Sequence, residues 1–188
     1  SPARPGPATF TSLLRDAGYA LGHVGKWQIH PTQDALHPDY GFHDDVSVRT
    51  YPQWRASQGL PPKPHGDSWA GGCDPDIAPE ASCLGWSARQ IAALIEAAAT
   101  RRQPFFIQWD PTEPHLPNLV PEPYCSMYPP ADIPPWPSYP DPLIGKPYIQ
   151  AQPRRTWKLT DWTRDDWSQL VGRYLGEISL LDTQLGLL

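Results

Sequence analysis

The same order of elements, a helix followed by a short apolar strand and then a loop, is predicted twice in this sequence. The first helix is capped by Thr9 and ends at Gly18, and its strand covers residues 19–24. The second helix opens at Ser87, and its strand begins after Pro104. Helices that alternate with strands are typical of α/β folds with a parallel sheet. We therefore expect an α/β fold with a mostly parallel sheet flanked by helices.

Two polar side chains follow these predicted strands. Lys26, in Gly25-Lys26-Trp27, follows the first strand, and His115 lies between prolines in the loop after the second. If the strands are parallel neighbours, their carboxyl ends meet at one edge, so both side chains face the same crevice. A lysine there suits an oxyanion such as sulfate or phosphate, and a histidine can protonate a leaving oxygen. The alternative is that Lys26 is a solvated surface lysine and His115 a packed loop histidine.

The composition argues against several classes of function. The 188 residues carry a net charge of −5, and the 15 Lys and Arg residues are scattered, which argues against a nucleic-acid or anionic-membrane surface. No apolar run approaches the length of about 20 residues that a membrane-spanning helix needs. The chain is long enough for one domain with a substantial core. The 26 prolines predict long loops, and the 9 tryptophans indicate that these loops are ordered.

Neither the cysteines nor the acidic residues form a clear reactive or metal-binding pattern. The odd count of three cysteines argues against a disulfide framework, one Cys73–Cys83 bridge is the most that can be argued, and none of the cysteines has the histidine context of a nucleophile. The histidines outside the His115 loop do not follow a zinc-binding spacing. The pair Asp44-Asp45 could bind a hard cation, but a solvated cap is the commoner role of such a pair.

The rest of the chain carries fewer local signals. Residues 28–85 show no strong periodicity, and residues 117–153 are predicted to form one long, ordered, proline-rich loop. A third helix is predicted to begin after Thr163, with acidic residues in its first turn, and to run on to Leu188.

Several stretches, taken in their order along the chain, resemble the sulfatases, which are members of the alkaline-phosphatase-like superfamily. The stretches that carry this resemblance are residues 11–19 with Gly25-Lys26-Trp27, Tyr40-Gly41-Phe42, residues 102–107, residues 114–117 with 121–124, and residues 173–182. Each is weakly specific, but together they cover most of the chain. The resemblance implies that residues 1–188 are the central part of one sulfatase-like catalytic domain with an alkaline-phosphatase-like fold, incomplete at both ends.

The resemblance also implies an activity and a cofactor. Sulfatases hydrolyse sulfuric esters with a formylglycine, made from a cysteine or serine, beside a calcium ion. On this pattern Lys26 contacts the sulfate group, and His115 contacts the sulfate or protonates the leaving group. The expected ligand is a small-molecule or glycan sulfate ester.

Three departures from the family pattern qualify this expectation. The family has a histidine two places after the lysine, where this chain has Gln28, and the nearest histidine is His30. Residues 1–4 resemble the end of the nucleophile motif, which makes Arg4 its arginine and places the nucleophile just before Ser1, although the connection that follows is shorter than usual. The calcium ligands of the family fall outside this chain at both ends. We therefore expect the 188 residues alone to hydrolyse no sulfate ester, whereas the full gene product does.

Two other functions stay open at the sequence level. One is a phosphonate or phosphate monoester hydrolase of the same superfamily, whose crevice chemistry is alike. The other is a non-catalytic binding module rich in Pro and Trp. Substrate choice would depend on the loops at residues 46–85 and 118–160, which carry no recognisable ligand motif. The sequence is compatible with a cytoplasmic or a periplasmic location and with any oligomeric state.

Overall fold

The structure, a computed structural model, describes residues 8–64, 69–139 and 141–188, and within these ranges helices and strands alternate. The strands are β1 (Ala20–Gly25), β2 (Asp44–Ser47), β3 (Gly71–Cys73), β4 (Phe105–Asp110) and β5 (Asn118–Val120). The α-helices are α1 (Phe10–Asp16), α2 (Tyr51–Ser57), α3 (Cys83–Thr100), α4 (Tyr148–Thr156) and α5 (Arg164–Gly186).

Two parallel sheets confirm the predicted α/β class. The larger sheet has the order β2-β1-β4, and the smaller one pairs β3 with β5. In the larger sheet, Gly22 of β1 lies opposite Asp44 on one side and Ile107 on the other. From Leu21 to Gly25 the central strand β1 is buried, which is typical of a parallel strand covered on both faces. The prediction that the strands before Lys26 and His115 are parallel neighbours is therefore confirmed.

The described residues group into two compact units. The first unit takes its residues from Ser1–Lys63, Asp76–Glu113 and Leu180–Leu188, and it contains the three-stranded sheet with α1, α2 and α3. The second unit takes its residues from Pro64–Pro75 and Pro114–Ser179, and it contains the two-stranded sheet, α4 and most of α5. That both belong to one catalytic domain stays a prediction.

Helix starts follow the capping chemistry of the sequence, with one correction. Thr9 caps α1 as predicted, since its hydroxyl accepts from the Ser12 N–H (3.2 Å). Helix α3, however, begins at Cys83 and not at Ser87. The cap is the Ser82 hydroxyl, which accepts from the Gly85 N–H (3.1 Å), and Ser87 is buried inside the helix. Both serines fit a cap pattern, and the earlier one begins the helix because the residues after it bury an extra apolar turn.

Thr163 caps α5, as the sequence predicts, and Asp166 of the predicted acidic first turn makes the cap reciprocal. The Thr163 hydroxyl accepts from the Asp166 N–H (3.3 Å), and the Asp166 carboxylate accepts from the Thr163 N–H (2.8 Å). The hydroxyl and N–H of Thr163 both donate to this carboxylate, which holds the pKa of Asp166 below its ordinary value. The helix ends at Gly186, two residues before the predicted end. Among the helices within the described ranges, none combines the length and apolar character that crossing a bilayer requires.

Several elements lie where the sequence predicts none. Strands β2 and β3 and helix α2 fall in residues 28–85, and β5 and α4 fall in the segment predicted as one loop. Three- and four-residue strands are too short to show an alternating pattern. Helix α4 contains Pro153 and buries none of its residues, so it has no apolar stripe either.

The disulfide joins Cys73 to Cys125, so the predicted Cys73–Cys83 bridge is wrong. Cys73 ends β3, which pairs in parallel with β5, and the turn after β5 brings Cys125 to a Cα–Cα distance of 5.7 Å. The two cysteines are 52 positions apart, so only the long-range pairing of the strands could have revealed the bridge. Cys83 is free and buried in the first unit.

In the second unit, α5 lies directly against the chain that follows β5. A Cβ added at Gly176 would lie 2.1 Å from the Tyr124 carbonyl oxygen, and one at Gly172 would lie 2.5 Å from that of Tyr128. The Glu177 carboxylate accepts from the Asn118 side-chain amide (2.6 Å) and from the Leu119 N–H (3.1 Å). The helix face with the two glycines therefore fixes the position of α5 within this unit.

This contact predicts the effect of adding one methyl group. We expect Gly176→Ala to lower the free energy of unfolding by about 1–3 kcal/mol, because the new Cβ forces helix and turn apart. Gly186→Ala on the same helix meets no atom within 4 Å and should be neutral or slightly stabilising. Urea unfolding of the two variants measures the difference, and equal midpoints would contradict the close approach.

Candidate functional site

Lys26 is held at the carboxyl end of β1 by its backbone. Its N–H donates to the Asp110 carbonyl (2.8 Å) at the end of the neighbouring strand β4. Gly25 has φ +141°, and a Cβ there would lie 2.0 Å from the same carbonyl oxygen. Only glycine permits this approach. The Gly25-Lys26 sequence therefore fixes where the lysine leaves the sheet.

Trp27 anchors the other side of the lysine. Its indole N–H donates to the Gln33 carbonyl (2.8 Å), and its rings meet His23, Tyr40 and Phe42 edge to face. The Lys26 side chain is partly exposed, and no hydrogen bond or ion pair among the described residues engages its ammonium group. The backbone places this positively charged side chain at the sheet edge, where the charge is available for an anion.

A buried histidine links the three strands of the larger sheet. His23 of β1 is 0% exposed, and its Nδ1 lies 2.7 Å from an Asp45 carboxylate oxygen on β2. Its Nε2 lies 3.2 Å from an Asp110 carboxylate oxygen on β4, which also accepts from the Gln108 side-chain amide (2.7 Å). Both bonds form when both ring nitrogens carry a proton, because carboxylates only accept. Asp110 is thereby oriented at the same sheet edge as Lys26.

Sequence reasoning missed this array of His23, Asp45 and Asp110. The expectation of a solvated cap is wrong for Asp45, which bonds to His23, whereas Asp44 is exposed. One signal was present: a histidine and an aspartate inside apolar strands are costly to bury without partners. Pairing them requires the strand register, in which His23 faces Asp45 directly.

His115 belongs to the second unit, where its ring is exposed. Its Nδ1 lies 2.6 Å from the Leu116 carbonyl oxygen. A carbonyl can only accept, so Nδ1 is the donor, and Nε2 is the nitrogen left for a ligand. This bond orients the ring and assigns the reactive position to Nε2.

His115 lines a cavity of about 850 Å³ whose walls are mostly apolar. All of the residues that form it belong to the second unit. They come from the segment before β3, the loop before β5, β5 itself, the end of α4 and α5, and they include Trp69, Leu119, Trp157, Leu170, Val171 and Tyr174.

The other predicted site residues are placed as follows. Gln28 is exposed, and the His30 ring accepts from the Thr32 N–H (3.2 Å). Arg4 lies outside the described residues. Lys26 and His115 belong to different units, so their meeting in one crevice stays a prediction.

Calcium does not fit the described residues. Within them, the one group of three potential ligand side chains close together is Cys73, Glu122 and Cys125. Its two cysteines form the disulfide. Calcium takes six to eight oxygen ligands, which two bonded sulfurs and one carboxylate do not supply.

Cys83 is not an activated thiol. Burial raises its pKa far above the ordinary value, and the nearby charge of Glu113 raises it further. A thiol that stays protonated is a weak nucleophile and a weak ligand. The residue is best described as part of the core around Tyr51 and Trp86.

The fold is similar to those of two solved hydrolases. One is the phosphonate monoester hydrolase from Silicibacter pomeroyi, with a TM-score of 0.73 and 22% identity over 98% of this chain and 44% of that chain. The other is the phosphonate monoester hydrolase of Agrobacterium radiobacter, with a TM-score of 0.68 and 21% identity over 99% of this chain and 44% of that chain. No protein-family model and no curated protein matches the sequence. The chain therefore spans less than half the length of these relatives in structure, and their likeness confirms the alkaline-phosphatase-like α/β fold.

The buried array in the larger sheet yields a stability prediction. We expect Asp45→Ala to lower the free energy of unfolding by about 1–3 kcal/mol, because a buried His23 nitrogen loses its partner. Asp44→Ala removes a neighbouring exposed carboxylate and should change stability by less than about 0.5 kcal/mol. Thermal or urea unfolding compares the stabilities of these two variants. A loss of equal size in both variants would show that His23 does not depend on Asp45.

Proposed function

We propose that this chain forms part of a hydrolase that cleaves monoesters of tetrahedral oxyanions, with sulfate esters as its substrates. The observation that carries the proposal is the Lys26 side chain, whose backbone is held at the carboxyl edge of a parallel sheet and whose ammonium has no partner among the described residues. Ligands of α/β proteins bind at such edges. The sulfatase-like sequence pattern supports the choice of sulfate, and the fold supports the superfamily.

Lys26 would hold the oxyanion. A compact ammonium charge attracts a non-bridging oxygen of the ester and stabilises the charge that develops as the bond to the leaving group breaks. The Lys26 N–H bond to Asp110 keeps the start of this side chain in place without using its charge. The binding energy is therefore not reduced by a competing ion pair among the described residues.

His115 would protonate the leaving oxygen. With Nδ1–H bonded to the Leu116 carbonyl, the proton that can be transferred is the one on Nε2. As the ester bond breaks, the leaving oxygen takes this proton, and the ring is left neutral with its Nδ1–H bond intact. An alcohol or phenol then departs uncharged.

The resemblance assigns the nucleophile to a formylglycine and the charge neutralisation to calcium. None of the roles given above to Lys26 and His115 requires the metal, and the described residues do not supply its ligands.

Phosphonate monoesters are the second candidate substrate. Both structural relatives are phosphonate monoester hydrolases, and this is the observation that favours it. A phosphonate monoester has the same tetrahedral shape and negative charge as a sulfate ester, so Lys26 and His115 would act on it in the same way.

The proposal is tested on the gene product that carries this chain. We expect release of nitrophenol from para-nitrophenyl sulfate, and faster turnover than of para-nitrophenyl phenylphosphonate. Lys26→Ala should lower kcat/KM by about 10²–10³-fold, as loss of one oxyanion contact does. Lys146→Ala, which removes an exposed lysine paired with Asp141, is the matched control and should have no effect.

The proposed role of His115 predicts a rate loss that depends on the leaving group. Loss of a general acid lowers rates by about 10²–10⁴-fold, and the loss is greatest when the leaving group is a poor one. His115→Ala should therefore slow phenyl sulfate more than para-nitrophenyl sulfate, whereas His37→Ala should slow neither. Faster turnover of the phosphonate would favour the second candidate. No turnover of either ester would refute a hydrolase.

A further inference from the structure

We propose that residues 142–160 form a docking surface for an anionic lipid bilayer, on which helix α4 lies without crossing the membrane. The segment belongs to the second unit and contains neither Lys26 nor His115, the residues to which hydrolysis is assigned. The proposal therefore does not depend on the proposed function, and it is measured by vesicle binding.

The charge of this segment is opposite in sign to that of the whole chain. Residues 142–160 contain no Asp or Glu, whereas the 188 residues together have a net charge of −5. The basic residues of the segment are Lys146, Arg154, Arg155 and Lys158. The expectation that the chain offers no anionic-membrane surface follows from its average charge and does not describe this segment. A cluster of about four cations is enough to attract an anionic leaflet.

Most of these cations are not neutralised by neighbouring acids. Lys146 pairs with Asp141 (3.3 Å), which lies just outside the segment. Arg154, Arg155 and Lys158 are exposed, and no ion pair between described residues engages them. Their charges are therefore available for the phosphates and carboxylates of lipid headgroups.

The same segment exposes large apolar side chains. Ile144 is 84% exposed, Ile149 70% and Tyr148 69%. A soluble polyanion such as a nucleic acid backbone would leave these side chains in water. The interfacial region of a bilayer takes up aliphatic and aromatic groups while its headgroups meet the cations. Apolar and basic side chains exposed together therefore favour a lipid surface.

Helix α4 presents both kinds of side chain on one side. It buries none of its residues. At about 100° per residue, Tyr148, Ile149 and Arg155 fall within an arc of about 120°, and all three are exposed. Surface helices usually turn such apolar residues towards the core. In α4 they face solvent, so this helix has an apolar face that no other described element covers.

A bilayer would also stabilise the helix itself. With nine residues, one of them Pro153, α4 is too short to be stable in water on its own. Burial of Tyr148 and Ile149 in the interface adds the apolar contact that the helix lacks, and the long Arg155 side chain can reach the headgroups from the same face.

The proposal is tested by sedimentation of the gene product that carries this chain with lipid vesicles. We expect binding to phosphatidylcholine vesicles that contain about one third phosphatidylserine, and much weaker binding to vesicles of phosphatidylcholine alone. Binding should weaken as the salt concentration rises, because ions screen the attraction.

One pair of variants tests the charge. Replacing Arg154 and Arg155 together by Gln should weaken binding to anionic vesicles about 10–30-fold, at about fivefold for each cation. The matched control replaces Arg101 and Arg102 by Gln. These two arginines are also adjacent and exposed but belong to the first unit, so binding should be unchanged.

A second pair of variants tests the apolar contact. Ile149→Ser should weaken vesicle binding about tenfold, because the side chain no longer enters the interface. Leu187→Ser removes an equally exposed aliphatic side chain (72%) outside the segment and should have no effect. Circular dichroism establishes that all four variants are folded, which their exposed positions favour.

The outcomes are separable. No binding to anionic vesicles, equal binding to both kinds of vesicle, or equal effects of a variant and its control would overturn the proposal. If heparin competes with vesicles and Ile149→Ser leaves binding unchanged, the segment binds a soluble polyanion and the bilayer proposal is wrong. Vesicle binding without ester hydrolysis would uphold this surface and refute the proposed function alone.

Discussion

The close approach of Gly25 to the Asp110 carbonyl is the constraint on which the larger sheet depends. It brings the ends of β1 and β4 together where a side chain would not fit, and the Lys26 N–H then bonds to the same oxygen. The parallel register that results sets His23 opposite Gln108 and Asp45, so one buried imidazole can reach a carboxylate on each neighbouring strand. The Gly25 position thus fixes where the lysine leaves the sheet at the same edge at which the buried array ends in Asp110.

The second unit is held together by a helix packed on its sheet and by a disulfide. Its two-stranded sheet is short, and its geometry depends on α5, whose Gly172 and Gly176 allow the chain after β5 to lie against the helix. Glu177 then bonds to Asn118 and Leu119 of β5, and the Cys73–Cys125 disulfide ties β3 to the following turn. Helix, sheet and disulfide together hold the aromatic walls of the cavity at His115.

The sequence predicts those features whose signals are local. Helix α1 with its Thr9 cap, the strands β1 and β4, and the Thr163 cap each depend on residues within a few positions of one another, and all are found. The features that it does not predict depend on distant residues. The Cys73–Cys125 bridge and the His23–Asp45 bond exist only once strands far apart in the chain have paired. For the candidate site, the sequence predicts Lys26 and His115, which stay predictions, and it predicts neither the position of Asp110 nor the cavity.

Lys26 and His115 are held by different contacts, a backbone bond for the first and a side-chain bond for the second. Their proposed roles should therefore respond to different changes in the protein. The backbone of Lys26 is placed by its N–H bond at the end of a buried strand, so the start of its side chain stays in position whatever the ammonium group binds. His115 is exposed, and its one fixed element is the Nδ1–H bond to Leu116, which determines the nitrogen that can react. A change in the sheet should therefore alter oxyanion binding, whereas a change in the loop should alter proton transfer. The sulfate and phosphonate alternatives share both requirements, so neither Lys26 nor His115 distinguishes the two proposed substrates.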